Sequence, residues 1–269
     1  MEVNTLIELL KSNDITIYSP SYNRQGKIIT HRMLPTVQYV VSEEQAGDYR
    51  KQNPDCFFKV APNSAQGNLC RIRNWILDHA ETKNVLIVDD DFKGLGRWSW
   101  DDEGNKTHQE LDTQQIYNFI EHGFLLAQDM DVKMWGVNCV GDPISFRDYI
   151  PFKLTAYIGG PWQAFCNMDL RYDTDLPLKE DYDMTLQVLN KYRRILRFNA
   201  YHYSVFQCEN EGGCATYRTI EREKEQLALL QKKWGSKIVK IDEGNSQVKR
   251  KKQKNYDINP IIKIPIRGV

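Results

Sequence analysis

Three consecutive carboxylates, Asp89, Asp90 and Asp91, directly follow the apolar run VLIV at 85–88. A short apolar run of this kind reads as a buried strand, and open α/β sheets bind their ligands at the carboxyl ends of the strands. Adjacent carboxylates repel one another, and a hard divalent cation bridged to phosphate oxygens is the usual compensation. Side chains alternate along an extended chain, so Asp89 and Asp91 share a face while Asp90 points elsewhere. The competing reading of the triplet is a solvated acidic turn.

A second acidic constellation, LPLKEDYD, holds Glu180, Asp181 and Asp183 at an expected helix start, where the helix dipole favours anions. Ordinary N-terminal capping would account for it. The alternative is a general base, which needs an accessible carboxylate within hydrogen-bond reach of a nucleophile and neighbours that raise its proton affinity. His202, in NAYHYSV, is either a packed core histidine or a metal ligand. Trp98, Trp100, Trp162 and Tyr182 are candidates for stacking on a sugar or a base, with core packing the default for Trp162. The glycine pairs Gly159–Gly160 and Gly212–Gly213 either let backbone approach a ligand or supply turns.

The elements that must carry these residues alternate. Strands are expected at 15–19, 37–41, 57–60 and 85–88. Between the last two, Leu69, Ile72, Ile76 and Ala80 recur at helical spacing, with Asn63 or Ser64 available as a cap. A polar, tryptophan-bearing loop is expected at 94–110, then a helix at 112–128 and a strand at 132–139. A helix follows LKEDYDM, with Val188, Tyr192 and Ile195 at helical spacing. Next come a strand at 195–203 and a charged helix ending at Gly235. The pattern predicts an α/β fold with a mostly parallel sheet flanked by helices. Residues 1–245 form one domain in this reading, and 246–269 a basic linker with a C-terminal extension.

The 269 residues are 41% hydrophobic and 27% charged, which excludes disorder for the bulk of the chain. No stretch approaches the roughly 18 apolar residues of a membrane helix, and the N-terminus lacks the pattern of a secretory signal. A soluble cytoplasmic protein, monomeric by default, is the expectation. The six cysteines show no CxxC spacing and read as reduced, mostly buried small hydrophobes. Lys and Arg number 36, as do Asp and Glu, so the chain does not coat nucleic acid along its whole surface. A local basic groove remains open to Arg97, Arg147, Lys153, Arg218 and the Lys249–Lys254 segment, each of which could equally be a surface solubility residue.

The ordered segment GNLCRIRNWILDHAETKNVLIVDDD resembles the nucleotide-sugar-binding half of GT-A fold glycosyltransferases. Together with SPSYNR, IVDDDF, LKEDYD, the late His202 and the closing KKWG, it makes the chain similar to the TET/JBP-associated glycosyltransferases. This largely bacteriophage-encoded group has the proposed task of adding sugars to 5-hydroxymethylpyrimidines in DNA. The resemblance implies a GT-A-like sheet and a nucleotide-sugar donor, UDP-glucose or another UDP-sugar. It implies a divalent metal, Mn2+ or Mg2+, on Asp89 and Asp91 with His202 as a third ligand. Ser19, Pro20, Tyr22, Arg24, Arg73, Asn74 and Asp90 would grip the donor. Asp181 matches the base position of inverting enzymes, with Asp183 a rival and Glu180 positioning the acceptor. DNA carrying 5-hydroxymethylpyrimidines would be the partner, with no membrane, in a host cytoplasm. The triple aspartate followed by Phe92, Lys93 and a Trp-rich segment departs from GT-A habit and leaves the donor sugar open. Rival readings are a polysaccharide, lipid-linked or protein acceptor on the same fold, and a non-catalytic nucleic-acid-binding module. The module would have lost the acidic residues, yet all six are present.

Overall fold

The computed structural model describes residues 2–206, 212–240 and 258–264. In chain order the elements are α1 (Val3–Ser12), β1 (Ile15–Pro20), β2 (Gln38–Ser42), α2 (Ala46–Gln52), β3 (Phe57–Ala61), α3 (Leu69–Asp78), β4 (Asn84–Val88), β5 (Phe92–Trp100), β6 (Lys106–Glu110), α4 (Thr113–Asp129), β7 (Met134–Asn138), β8 (Phe152–Lys153), β9 (Trp162–Cys166), α5 (Glu180–Tyr192), β10 (Leu196–Val205), α6 (Ile220–Trp234), β11 (Val239–Lys240) and β12 (Ile261–Ile262). The large sheet runs β3-β2-β1-β4-β9-β7-β10-β5-β6, with β8 beside β10. The first four pair in parallel. β9 runs against both β4 and β7, and β10 lies parallel to β7. β5 and β6 complete the edge as an antiparallel hairpin. The result is the mixed, mostly parallel α/β sheet that the alternation of elements predicts.

Side-chain alternation along each strand gives this sheet two buried faces. Ile15 and Ile17 of β1 and Leu86 and Val88 of β4 pack with Leu6 and Leu10 of α1 and with Ile116, Ile120 and Phe124 of α4. The intervening residues Tyr18, Val85 and Ile87 pack with Ile72 and Ile76 of α3 and with Met184, Val188 and Leu189 of α5. Strands covered on both sides lose polar positions and become continuous apolar runs, which is why VLIV stands out in the sequence. A smaller cluster joins Leu186 of α5 to Leu227 and Leu230 of α6 and Val239 of β11. No helix among the described residues is long and apolar enough to cross a membrane.

Several elements differ from the sequence expectation. The cap of α3 is Asn68, whose side chain accepts the Arg71 amide, and not Asn63 or Ser64, which lie in a separate 3-10 turn. The segment expected to be a loop at 94–110 is largely the β5–β6 hairpin. Asp101 Oδ1 accepts the amides of Glu103 and Asn105 and so ties its turn. Across the ladder Ser99 and Thr107 share a hydroxyl hydrogen bond at 2.8 Å, a pairing that sequence polarity alone conceals. α5 opens at Glu180, so the acidic motif is its first turn, and it ends before Ile195 because Arg193 turns left-handed (φ 66°). β9, WQAFC, is a strand that the sequence reading did not separate: all five residues are buried, but Gln163 interrupts the apolar run, so neither alternation nor a continuous apolar stretch marks it. The Lys249–Lys254 segment lies outside the described residues.

The tightest packing constraint in α4 is Gly123. A Cβ there would lie 2.5 to 2.9 Å from three atoms of the buried Trp135 ring, whereas one at Gly47 in α2 would meet nothing within 4 Å. Gly123→Ala should therefore destabilise by about 1–3 kcal/mol. Gly47→Ala should stabilise by up to about 1 kcal/mol from helix propensity. Urea titrations of the two variants against wild type measure both signs.

Candidate active site

β4 delivers the three aspartates to the carboxyl edge of the sheet, where they meet the loop that follows β1. Asp90 is buried and turns toward that loop, accepting hydrogen bonds from Ser21 Oγ and Arg24 Nη1, each at 2.5 Å. Burial pushes the Asp90 carboxyl up, with Arg24 and Ser21 opposing it. Behind them Tyr49 of α2 lies 2.8 Å from Ser21 Oγ and accepts the Arg24 backbone amide. Asp91 lies 3.4 Å from the same guanidinium. Asp89 is different, with 31% of its side chain exposed against 4% for Asp90. That difference separates the carboxylate open to a ligand from the one committed to holding the loop.

The other wall is assembled around Arg73 of α3, which has no solvent exposure. Its Nη2 donates to Asp89 Oδ1 and to the Gly160 carbonyl, each at 3.0 Å, and its Nη1 donates to Glu180 Oε1 at 3.1 Å. Burial would lower its pKa, but Tyr172, Glu180, Asp89 and Asp181 together carry it above the ordinary arginine value. The guanidinium is permanently charged. A Cβ on Gly160 would lie 3.3 Å from both terminal nitrogens, so any other residue there would push the buried guanidinium aside by a few tenths of an ångström. Asp181, on the first turn of α5, accepts from the Tyr157 hydroxyl and, at 3.1 Å, from the Gly160 amide. Tyr182 stacks on Tyr157 with ring centroids 4.1 Å apart.

These groups line one cavity of about 770 Å³, the size of a small-molecule site. Its walls include Pro20, Tyr22, Arg24, Arg73, Asp89, Asp90, Asp91, Glu180 and Asp181, all singled out in the sequence. Four others are placed differently. Ser19 is buried in β1 and does not line the cavity. Asn74 exchanges hydrogen bonds with the Tyr172 backbone at 2.7 and 2.9 Å and so fixes the chain before α5. Asp183 points to α6, where Lys233 and Trp234 Nε1 donate to it, and Gln187, one turn on in α5, completes its partners. His202 sits on β10 against His108 of β6, with Nε2 atoms 2.9 Å apart, under the hairpin instead of beside the aspartates. The Gly212–Gly213 pair, with φ of 96° and 54°, packs on the Tyr22–Arg24 loop.

Sequence reasoning missed Ser21, Tyr157, Arg197 and Tyr203, all of which line the cavity. Ser21 lay inside the quoted SPSYNR motif. Tyr157 comes from the segment before β9, and Arg197 and Tyr203 from β10; none carried a local signal. Among the described residues no three His, Cys, Asp or Glu side chains are grouped as a ready-made metal shell. The donor set still suits a hard divalent ion of the magnesium type, which takes one or two carboxylates and completes its shell with substrate phosphates and water. Asp89 and Asp91 are the residues that would hold it.

Glu180 is the most perturbed acid on this wall. Burial first, then the neighbouring Asp181, push its carboxyl well above the usual carboxylate range, with Arg73 pulling the other way. A raised folded-state value means that the native protein holds this proton more tightly than the unfolded chain does. The associated stability is complete below the unfolded value and is lost as pH rises through the folded one. Glu180→Gln cannot ionise, so its unfolding midpoint relative to wild type should climb as pH rises above about 5. Paired thermal melts across pH in the absence of ligand would check the slope, and a pH-independent difference would contradict it.

The chain covers 81% of its own length and 64% of the other chain in a likeness to the mannosyltransferase PcManGT from Pyrobaculum calidifontis, solved with GDP-Man and Mn2+, at 16% identity and a TM-score of 0.48. It thus spans slightly less than two thirds of that enzyme. A second likeness is to glucosyl-3-phosphoglycerate synthase from Mycobacterium tuberculosis in complex with Mn2+, UDP and phosphoglyceric acid. There the identity is 8%, the coverage 87% of this chain and 83% of the other, and the TM-score 0.48. No curated protein matches the chain in sequence. Residues 15–214 match the family described as TET-Associated Glycosyltransferase, a span that runs from β1 through the aspartate strand and the acidic helix. The chain belongs to the TET-associated glycosyltransferase family.

Proposed function

We propose that the protein transfers a sugar from a nucleoside diphosphate sugar, with UDP-glucose or another UDP-sugar as donor, to the hydroxymethyl group of 5-hydroxymethylpyrimidines in DNA. The observation that carries the chemistry is that Asp89 and Asp181, some ninety residues apart in sequence, line one cavity and are linked through Arg73, Glu180 and Gly160. Family membership supports the transfer reaction and the acceptor class. In this reading Pro20, Tyr22 and Arg24, which line the cavity at and just after the end of β1, receive the nucleotide.

In this reading Asp181 takes the proton of the acceptor hydroxyl as its oxygen attacks the anomeric carbon, and the bond to the diphosphate breaks on the opposite side. The configuration inverts. Tyr157 and the Gly160 amide fix the Asp181 carboxylate on one oxygen, Oδ2. A divalent cation held by Asp89 and Asp91 would supply positive charge to the leaving diphosphate. Arg73 and Glu180 do not contribute that charge. They are paired with each other and hold the walls in register. The 5-hydroxymethyl group already projects into the major groove of duplex DNA, whereas reaction deep inside the cavity would require an extruded or single-stranded base.

The test is to incubate the protein with Mn2+, a panel of nucleotide sugars and hydroxymethylpyrimidine DNA, then digest the DNA and weigh the nucleosides. A gain of one sugar residue, abolished in Asp89→Ala, is the expected result. Asp181→Asn should lower turnover by about 10²- to 10⁴-fold while leaving UDP binding intact. Unchanged nucleosides alongside slow hydrolysis of the nucleotide sugar would leave a transferase with a different acceptor.

A further inference from the structure

Four arginines, Arg24, Arg73, Arg197 and Arg218, line the cavity, and three of them are matched by acids. Arg24 pairs with Asp90 and Asp91, Arg73 with Asp89 and Glu180, and Arg218 with the buried Glu223 at 3.1 Å. Arg197, near the start of β10, has no carboxylate partner among the described residues. Its Nε donates to Asn199 Oδ1 at 3.1 Å and its Nη1 to the Tyr157 carbonyl at 3.2 Å, both neutral acceptors. Nη2 has no protein acceptor among the described residues. The position directly across on β8, where an acid could have neutralised it, is Lys153. On its other side the cross-strand neighbour on β7 is Gly136.

Arg197 is half-buried, and this partial loss of water without a counter-charge is costly: it depresses the Arg197 pKa below the ordinary arginine value, with only the Cys139 thiol opposing. The neutral contacts on Nε and Nη1 orient the guanidinium without cancelling its charge. Asn199 is itself anchored, donating to the Ile150 carbonyl at 2.8 Å. The cation is therefore built in and aimed, and an arginine held in this way keeps in-plane N–H donors on the edge of its guanidinium for an oxyanion. Its place is also specific. Tyr157 accepts from Arg197 through its carbonyl and donates to Asp181 through its hydroxyl. One residue thus connects the lone guanidinium to the carboxylate assigned as base.

We propose that Arg197 binds an oxyanion of the substrate on the Asp181 side of the cavity, either a phosphate of the acceptor nucleotide or a carboxylate on the transferred sugar. The inference rests on the reading of this cavity as a nucleotide-sugar site and names a charged group that the substrate must carry there.

Calorimetry on the full chain with Mn2+ tests it with two matched pairs of probes. The acceptor pair is 5-hydroxymethyl-2′-deoxyuridine and its 5′-monophosphate. The donor pair is UDP-glucose and UDP-glucuronic acid. Wild type should bind the more highly charged member of one pair about tenfold tighter or more, and the pair that discriminates identifies the source of the anion. Arg197→Gln should erase that preference while leaving the affinity for the less charged member within about twofold. Arg197→Lys keeps the charge but loses the fork, so it should retain only part of the preference. This second variant carries the test alone should Arg197→Gln not fold. A wild type that binds UDP yet ignores the added charge in both pairs overturns the proposal. Equal weakening of both members of a pair in Arg197→Gln, or an undiminished preference in Arg197→Lys, overturns it too. A wild type that fails to bind UDP with Mn2+ would instead count against the donor reading of the cavity.

Discussion

The guanidinium of Arg73 is the constraint on which the rest of the site depends. It has no exposure, it cannot lose its proton, and it must be satisfied where it stands. Satisfying it requires Asp89 from the end of β4, Gly160 from the turn before β9 and Glu180 from the first turn of α5 to converge on one plane. Three segments that the chain visits at widely separated times are thereby fixed within hydrogen-bond distance of a single side chain. α3, which carries Arg73, packs on the same face of the sheet as α5. The core brings the helices together, and the charge decides their register.

The antiparallel strand inserted between β4 and β7 makes this convergence possible. β9 lies between β4 and β7, with Val88 opposite Trp162, so the turn entering β9 stands beside the strand end that carries the aspartates. Asp89 donates its amide to the Pro161 carbonyl at 3.3 Å, an extension of the same ladder. A purely parallel arrangement would put a helical crossover at that edge. Here a short glycine turn lies there instead, low enough for Arg73 to reach beneath it and for Asp181 to accept the Gly160 amide above.

Carboxylates adjacent in sequence have been given different tasks by their surroundings. Asp90 holds the Ser21–Arg24 loop, Asp89 keeps an exposed edge, Glu180 closes on Arg73, Asp181 faces the cavity and Asp183 anchors α6 through Lys233 and Trp234. Burial and partner choice, not residue type, separate the acid that can meet substrate from the acids that hold the walls. The same contrast separates Arg197 from the cavity's other arginines, because its neighbours orient its charge without neutralising it.

Much of this was legible in the sequence. The strand VLIV, the helix with Leu69, Ile72 and Ile76, the alternating order of elements and the two acidic motifs all rest on local periodicity, which the chain writes within a few residues of itself. Local patterns gave which residues could do chemistry and roughly which element held each. They could not give direction. Asp181 and Asp183 are two residues apart on one helix turn, yet one lines the cavity and the other is spent on α6, and no spacing rule distinguishes them. His202 offered a metal-ligand type at a plausible place, but the β5–β6 hairpin sets His108 against it. β9, Tyr157 and Arg197 left no mark at all, because Gln163 interrupts the apolar run of β9 and because the cavity that Tyr157 and Arg197 line is assembled from segments distant in sequence. Sequence by itself determined the elements and the chemical vocabulary. Only the tertiary structure decided which charges are neutralised and which remain to meet a ligand, because that choice depends on contacts between segments that local periodicity does not encode.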